Sequence, residues 1–380
     1  MRLPAIDSTV LRPHRDLFLT LLMSASANTL AASFTIFYVL IHFHIPTWTA
    51  AAYSTFLLGC AFLTSLLLGK TPLGRLGAKK GMLVGLAALG GFYVCMVALD
   101  AAFLPAAALS AVLFGIYIFA FFTPFNAAAL TLTSQGNRGT VLSAYGLVFP
   151  VVAASMPLIG GILTDTVSYG TVALIALAIV AADCVFVWRI AEVQEIEPFV
   201  LRRELFGCVP PRASAGMFFQ GMFDGAIWAS MAIILLDYVK TPTQYGGFVS
   251  AFALFGAVAA LILARISDRV RGRRTFLIAG LAILIPAAAI GTTFHDLVGF
   301  SVAMILINFS LPIAGVFLFA IAADAASTRP HDVAFLREIL LNAGRVSAAA
   351  IVLALVLVGL PASLSFAIML AASVGMAVAK

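Results

Sequence analysis

Two ionisable residues stand inside long apolar runs, where an ionisable side chain is a candidate site by default. Asp224 lies in Phe218-Phe219-Gln220-Gly221-Met222-Phe223-Asp224-Gly225-Ala226-Ile227-Trp228, and Arg345 closes Glu338-Ile339-Leu340-Leu341-Asn342-Ala343-Gly344-Arg345. A carboxyl so placed can take up and release a proton, and a guanidinium can hold an anion through its fork of N–H donors. The bland alternative is a static buried pair that fixes helix packing. On a helix Gln220 shares the face of Asp224 at i, i+4, while Glu338, Asn342 and Arg345 share one at i, i+4, i+7. Asn28, Asn126 and Asn308 stand in the middle of other apolar runs, where each can hydrogen-bond a solute or a neighbouring helix. Phe34, Phe121, Phe122, Phe223 and Trp228 offer apolar surface beside them, although with 31 phenylalanines in the chain packing is the commoner role for any one.

The elements that position these groups follow from composition. Of 380 residues, 63% are hydrophobic and 10% charged, and the mean hydropathy is +1.11. A soluble fold of this size has no place to hide that much apolar surface, so the chain uses lipid as its solvent. Twelve apolar runs reach spanning length: Leu17 to Leu40, Thr49 to Gly69, Gly81 to Leu99, Phe103 to Phe125, Thr140 to Leu163, Tyr169 to Trp188, Ala215 to Leu236, Gly246 to Leu263, Phe276 to Phe294, Leu297 to Ala323, Phe335 to Val358 and Leu360 to Val378. The tightest divisions fall at Asp100 and at Gly359-Leu360-Pro361. Counted from these span starts, Asp224 and Arg345 lie at similar depths, ~14 and ~15 Å at 1.5 Å per residue. If their helices are neighbours, the two side chains pair or share a polar cavity.

Lysines and arginines test the count. All but Lys240 and Arg345 fall in alternate loops or in the tails, at sites such as Arg2, Arg12, Lys70, Lys79, Arg138, Arg202, Arg271, Arg329, Arg337 and Lys380. By the positive-inside rule this expects twelve spans with both termini in the cytoplasm, so the net charge of +6 reads as topology and not as a nucleic-acid surface. Basic residues before Leu17 to Met23, with Ser24-Ala25-Ser26-Ala27 after it, imitate a signal peptide, but the run continues to Leu40 as a retained helix does. The hydrophilic stretch 191–214 divides the chain into an N-terminal six-helix bundle, 1–190, and a C-terminal one, 215–380. Mid-span prolines, Pro124 in the fourth span and Pro312 in the tenth, echo one another across half a chain length.

Several motifs carry a resemblance. Ala264-Arg265-Ile266-Ser267-Asp268-Arg269-Val270-Arg271-Gly272-Arg273-Arg274 is similar to the loop signature G-x-L-a-D-R-x-G-R-R of the major facilitator superfamily, with Ala264 for the first glycine and one residue inserted before Gly272. The first-half copy, Lys70-Thr71-Pro72-Leu73-Gly74-Arg75-Leu76-Gly77-Ala78-Lys79-Lys80, is poorer and has Gly74 where the acid is expected. Ser155-Met156-Pro157-Leu158-Ile159-Gly160-Gly161 resembles that family's antiporter signature G-P-x-x-G-G, with Met156 departing from it. The resemblance covers nearly the whole chain. It implies an all-α membrane protein of twelve transmembrane helices in two pseudo-symmetric six-helix bundles, working by alternating access around a site between them. It implies gating contacts at Arg75, Gly77, Asp268, Arg269 and Gly272, and a close interface between halves at Pro157, Gly160 and Gly161. The motifs lean to proton-coupled export of a small organic or amphipathic compound by a monomeric carrier in a bacterial inner membrane. Uptake of a small anion at Arg345 is the alternative.

Other chemistry is thinly supported. Asp183, six residues before Arg189, is expected to snorkel or pack on the periphery, and Asp165 and Asp324 to be solvated or capping at span ends. His42, His44, His295 and Asp296 lack metal-ligand spacing, Cys60, Cys95, Cys184 and Cys208 form no CxxC, and no HExxH, P-loop or nucleophile elbow occurs. No metal, cofactor or enzymatic reaction is therefore expected.

Overall fold

The computed structural model describes residues 15–68, 76–132, 138–190, 201, 203–266, 273–325 and 330–378. Every regular element among them is helical. Helices α1 Arg15–Leu30 and α2 Thr35–His42 make the first span, joined by a 3-10 turn at Ala32–Phe34. Then come α3 Thr47–Leu68, α4 Gly77–Val97 and α5 Phe103–Thr131. The fifth span is again split, into α6 Arg138–Ala153 and α7 Met156–Thr166, and α8 Tyr169–Arg189 completes the first half. The second half holds α9 Pro211–Leu235, α10 Pro242–Ile266, α11 Arg273–Thr293, α12 Leu297–Ala325, α13 Pro330–Leu357 and α14 Ser365–Val378. Eleven described helical segments are long and apolar enough to cross a membrane, and Ala362–Val378 is a shorter apolar twelfth. Its 3 residues of 3-10 helix and 14 of α-helix extend about 27 Å, close to the thickness of a hydrocarbon core. The chain is a multi-pass integral membrane protein. The face from which α1 rises is called proximal below, the opposite face distal.

Large apolar side chains such as Leu67, Leu104, Leu174 and Val298 stand exposed around the outside, as a lipid-facing surface requires. Trp48, at the distal start of α3, and Trp188, at the proximal end of α8, are exposed near opposite faces, where indoles settle at membrane interfaces. Lys79 Nζ sits 4.8 Å from the Trp188 ring centre. The division at Gly359 has a clear cause: at φ +78° this glycine ends α13, with Leu360 N–H donating to the Leu355 carbonyl and Gly359 N–H to that of Val356. That double bond is the Schellman cap, and Pro361 cannot continue the helix.

Packing repeats across the halves. In the first, span one lies against spans five and six, three against four and six, and two against four; in the second, α9 lies against α13 and α14, α11 against α12 and α14, and α10 against α12. Between halves α3 meets α13, and α6 and α7 meet α10. These are symmetry-related contacts, each pairing a second or eighth span with an eleventh or fifth.

Both split spans break at that interface. In the fifth, Ser155 leaves helical geometry at φ −130° and Pro157 enters α7 in its first turn. The Leu158 N–H, which a continuous helix would aim at Ala154, donates instead to Ser250 Oγ of α10 at 3.0 Å. Gly161 backs onto the Pro242 carbonyl and Gly246 onto that of Pro157, so the α7 and α10 backbones touch reciprocally where any Cβ would collide. The first span breaks at Ala31, φ −121°, with neither proline nor glycine nearby. Thr29 and Ser33 bond back to the carbonyls of Ala25 and Thr29, which bends helices. The carbonyl of Ala31 takes the Tyr169 hydroxyl at 3.3 Å, while Gly160 presses on that of Leu30.

Replacing Ser250 with alanine leaves the Leu158 amide unpaired and is expected to cost about 1 kcal/mol. The check is the apparent melting temperature in detergent, which should fall; an unchanged value would show that the cross-half bond contributes nothing.

Candidate functional site

A cavity of about 420 Å³ opens between the two bundles. Asp224 and Arg345 meet on its wall. Arg345 Nη2 donates to Asp224 Oδ2 at 3.3 Å, and its Nη1 to Asn342 Oδ1 at 3.0 Å. Both charged side chains are about four-fifths covered. Their helices start earlier than the apolar runs alone indicate, so they lie thirteen and fifteen residues from Pro211 and Pro330, near mid-helix at ~20 and ~22 Å.

Glycines bring the two helices together. Gly221 of α9 backs onto the Leu341 carbonyl, Gly225 onto the backbone of Arg345 itself, and Gly344 of α13 onto the Phe218 carbonyl. Gly221 and Gly225 form a G-x-x-x-G stripe, which lets helix backbones approach closely in lipid. That spacing was present in the sequence and is the signal that most directly announces the α9–α13 contact.

A second charge pair, of which the sequence singles out Glu338 but not its partner Arg337, lies nearer the proximal face. Arg337 Nη1 donates to Glu338 Oε1 at 2.7 Å, and the same oxygen accepts from Asn126 Nδ2 of α5 at 3.1 Å. Glu338 is 2% exposed. The Arg337 guanidinium also lies 4.5 Å from the centre of the Phe319 ring of α12. Arg337 thus belongs to the cavity and not to the loop charges among which the sequence placed it. Asn126–Glu338 is a bond between halves on the proximal side.

Gln220 lines the same cavity, against Gly315 of α12. Gln220 Oε1, Asn342 Nδ2 and the Nε atoms of Arg337 and Arg345 are buried without a hydrogen-bond partner. Beside a cavity, such atoms are the ones that bond to water or to an entering solute.

Asn28, Phe149 and Trp228 border this chamber and also a second, more distal one of about 260 Å³. The second chamber is mostly apolar, with Ile36, Leu57, Phe92 and Phe114 in its wall. Trp228 is 41% exposed, towards these chambers, and packs 5.9 Å from Phe114. Distally the halves are closed against one another. The Tyr245 ring stacks on Phe37 at 4.3 Å and its hydroxyl donates to the Ser33 carbonyl. Asp165 Oδ2 accepts from the Thr243 amide at 2.9 Å, so an acid ending α7 caps α10 of the other half.

Other expected positions resolve differently. Asn308 is not on the cavity: its Nδ2 bonds back to the Met304 carbonyl at 2.9 Å, on the side of α12 that meets Gly256 of α10. Phe34, Phe121 and Phe223 are wholly packed, so of the five aromatics expected at the site only Phe122 and Trp228 line the cavity. Asp183 does not snorkel; it is fully buried between α8 and α1. His42 bonds Asp100 at 3.0 Å, while the His295 carbonyl accepts from Tyr238. Gly77 starts α4 at φ +74°, a conformation that favours glycine. Arg75, Asp268, Arg269 and Gly272 lie outside the described residues.

Valine at Gly225 is expected to push α9 off α13 and lower stability by about 1–3 kcal/mol. Valine at Gly207, where an added Cβ meets nothing, serves as the control. Equal melting temperatures for the two variants would contradict the close-approach account.

No family model matches the sequence, and no curated protein does. Solved structures do. The human organic anion transporter MFSD10 (TETRAN) superposes with TM-score 0.71 at 16% identity, over 100% of this chain and 99% of that one. A bacterial homologue of the iron transporter ferroportin, in an outward-facing state, gives 0.70 at 18% identity, over 97% and 98%. FucP, a major facilitator superfamily transporter in the outward conformation, gives 0.65 at 14% identity, over 98% of each. At these identities the likeness is one of fold, and with the paired bundles described above it is complete: the chain has the twelve-helix fold of the major facilitator superfamily.

Proposed function

We propose that this chain is a secondary transporter, moving a small amphipathic organic solute by alternating access, with Asp224 exchanging a proton against Arg345. The observation that carries the reading is the Asp224–Arg345 pair at mid-helix on the wall of a cavity between two bundles. The two chambers suit an amphipathic solute. A polar head meets Arg345 and Gln220, with the buried Asn342 holding Arg345 from behind, and an apolar body lies against Trp228, Phe114 and Phe149. Asn28 and Asn126 contribute donors from the first half.

Charge bookkeeping at the wall gives the coupling. With Asp224, Glu338, Arg337 and Arg345 all ionised, the four charges cancel. A proton on Asp224 leaves one net positive charge on the cavity wall, which repels a cationic head, so that solute and proton exchange, and attracts an anionic head, so that they travel together. Solute and proton then cannot bind independently, which is the requirement for coupled transport. Rocking of the halves breaks either the distal contacts, Asp165–Thr243 and Tyr245–Ser33, or the proximal contact, Asn126–Glu338. The close-packed Pro157 and Gly161 of α7 face α10 and form the surface on which that rocking takes place, whereas Gly160, expected there too, packs on Leu30 of its own half. With its resemblance to an antiporter signature, this segment favours export in exchange for protons. The proximal face is cytoplasmic in this reading, the membrane a bacterial inner membrane, and the carrier a monomer.

Two arginines at one cavity favour a second reading, uptake of a small anion together with a proton. One experiment separates them. Vesicles containing the protein are given an acid interior, a pH-sensitive dye reports the gradient, and a panel of organic cations, neutral amphiphiles and carboxylates is added. Exchange predicts that some solute collapses the gradient when added outside, and symport predicts carboxylate-driven proton entry. Asp224→Asn should lose the response down to the level of protein-free vesicles while its abundance stays normal. A full response from that variant would remove Asp224 from the coupling step.

A further inference from the structure

One acid takes no part in the cavity. Asp183 of α8 is 0% exposed, and neither of its carboxyl oxygens has a hydrogen-bond partner. The polar side chain facing it is Thr20 of α1, also fully buried, with its Oγ1 unpartnered. Helix α8 packs on α1, α4 and α7. Their charged groups are engaged elsewhere or at the faces. Arg15 and Asp16 of α1 pair with each other at 3.3 Å, and Lys79 of α4 lies over Trp188, with Lys80 exposed beside it. Tyr93 of α4 is buried, and Asp165 of α7 holds the Thr243 amide at the distal end. Cys184 on α8 and Tyr117 on α5 are the other titratable side chains within electrostatic reach. Among the described residues no cation pairs with Asp183. An ionised carboxylate in such surroundings, with no cation and at most the facing Thr20 hydroxyl as donor, costs several kcal/mol.

A polar stripe leads from this acid to the cavity. Thr20, Ser24 and Asn28 follow one another at i, i+4, i+8 on one face of α1. Ser24 Oγ and the Tyr117 hydroxyl are 2.7 Å apart, and Tyr117 and Asn28 both line the cavity. The step from Thr20 to Ser24 is one helical turn, about 5.4 Å, which a water can bridge.

We propose that Asp183 is a second proton-binding site, inside the first bundle, which exchanges its proton with the cavity along Thr20, Ser24 and Tyr117. The carboxylate takes up one proton to become the acid. Each hydroxyl on the way accepts one proton as it donates another, so the relay is left unchanged. This assignment does not depend on any role for Asp224.

The test is infrared spectroscopy of carboxyl-13C-aspartate-labelled protein in the Asp224→Asn background. A protonated-carboxyl C=O band is expected at neutral pH, absent from Asp224→Asn/Asp183→Asn, lost on raising the pH, and shifted on transfer to heavy water. Tyr117→Phe should slow that isotope shift several-fold without removing the band, and Thr20→Val should do the same. A neutral pH spectrum lacking the band would overturn the proposal, as would a band that neither titrates nor exchanges. Isotope exchange at the wild-type rate in both Tyr117→Phe and Thr20→Val would overturn the route.

Discussion

A charge placed in hydrocarbon must find its opposite inside the protein, because no water is there to solvate it. That constraint shapes the middle of this chain. Asp224 and Arg345 answer one another across α9 and α13, and Glu338 answers Arg337 a little nearer the proximal face. Neither pair is a good reason for stability by itself, since bringing two charges out of water costs about what their attraction returns. Their position on the wall of a cavity between two bundles is better understood as chemistry held ready.

Holding those charges in place is the work of residues without side chains. With lipid outside there is little hydrophobic gain in bringing helices together, so close van der Waals contact and hydrogen bonds must do it. Gly221, Gly225 and Gly344 let α9 and α13 lie backbone to backbone within one half. Gly161 and Gly246 do the same for α7 and α10 between halves. The first contact is internal to a bundle and sets the geometry of the site. The second lies on the seam where two rigid bodies slide or rock. The chain thus uses one device for two purposes, and the breaks at Ala31 and Ser155 both fall where the seam is tightest.

Much of this was legible in the sequence for a physical reason. Lipid leaves the backbone almost no choice but helix, so apolar runs translate directly into spans, and Gly359-Leu360-Pro361 announces its own cap. Equal depth and opposite charge mark Asp224 and Arg345 as partners once the family resemblance makes their helices neighbours. What was not legible is rotation. A span that is apolar on all sides does not say which side faces lipid, neighbour or cavity. Hence Asn308 turned towards its own backbone, Asp183 turned inward away from the interface, and Phe34, Phe121 and Phe223 turned into packing while Phe122 faced the cavity. Arg337, at the very start of the Phe335 run, was grouped with the loop charges, but α13 begins at Pro330 and so carries it well into the helix. The break at Ala31 has no proline or glycine to mark it. It arises from hydroxyl back-bonds and a tyrosine supplied by another helix.

The account stands or falls on mutual neutralisation of Asp224 and Arg345. A double-mutant cycle on thermal stability in lipid nanodiscs measures it without knowledge of the solute. Arg345→Gln alone strands a buried carboxylate and should cost about 3–5 kcal/mol. Adding Asp224→Asn should return most of that loss. Additive losses, with the double variant no better than the sum of the singles, would mean that the two groups do not hold one another and that the site is built on some other interaction.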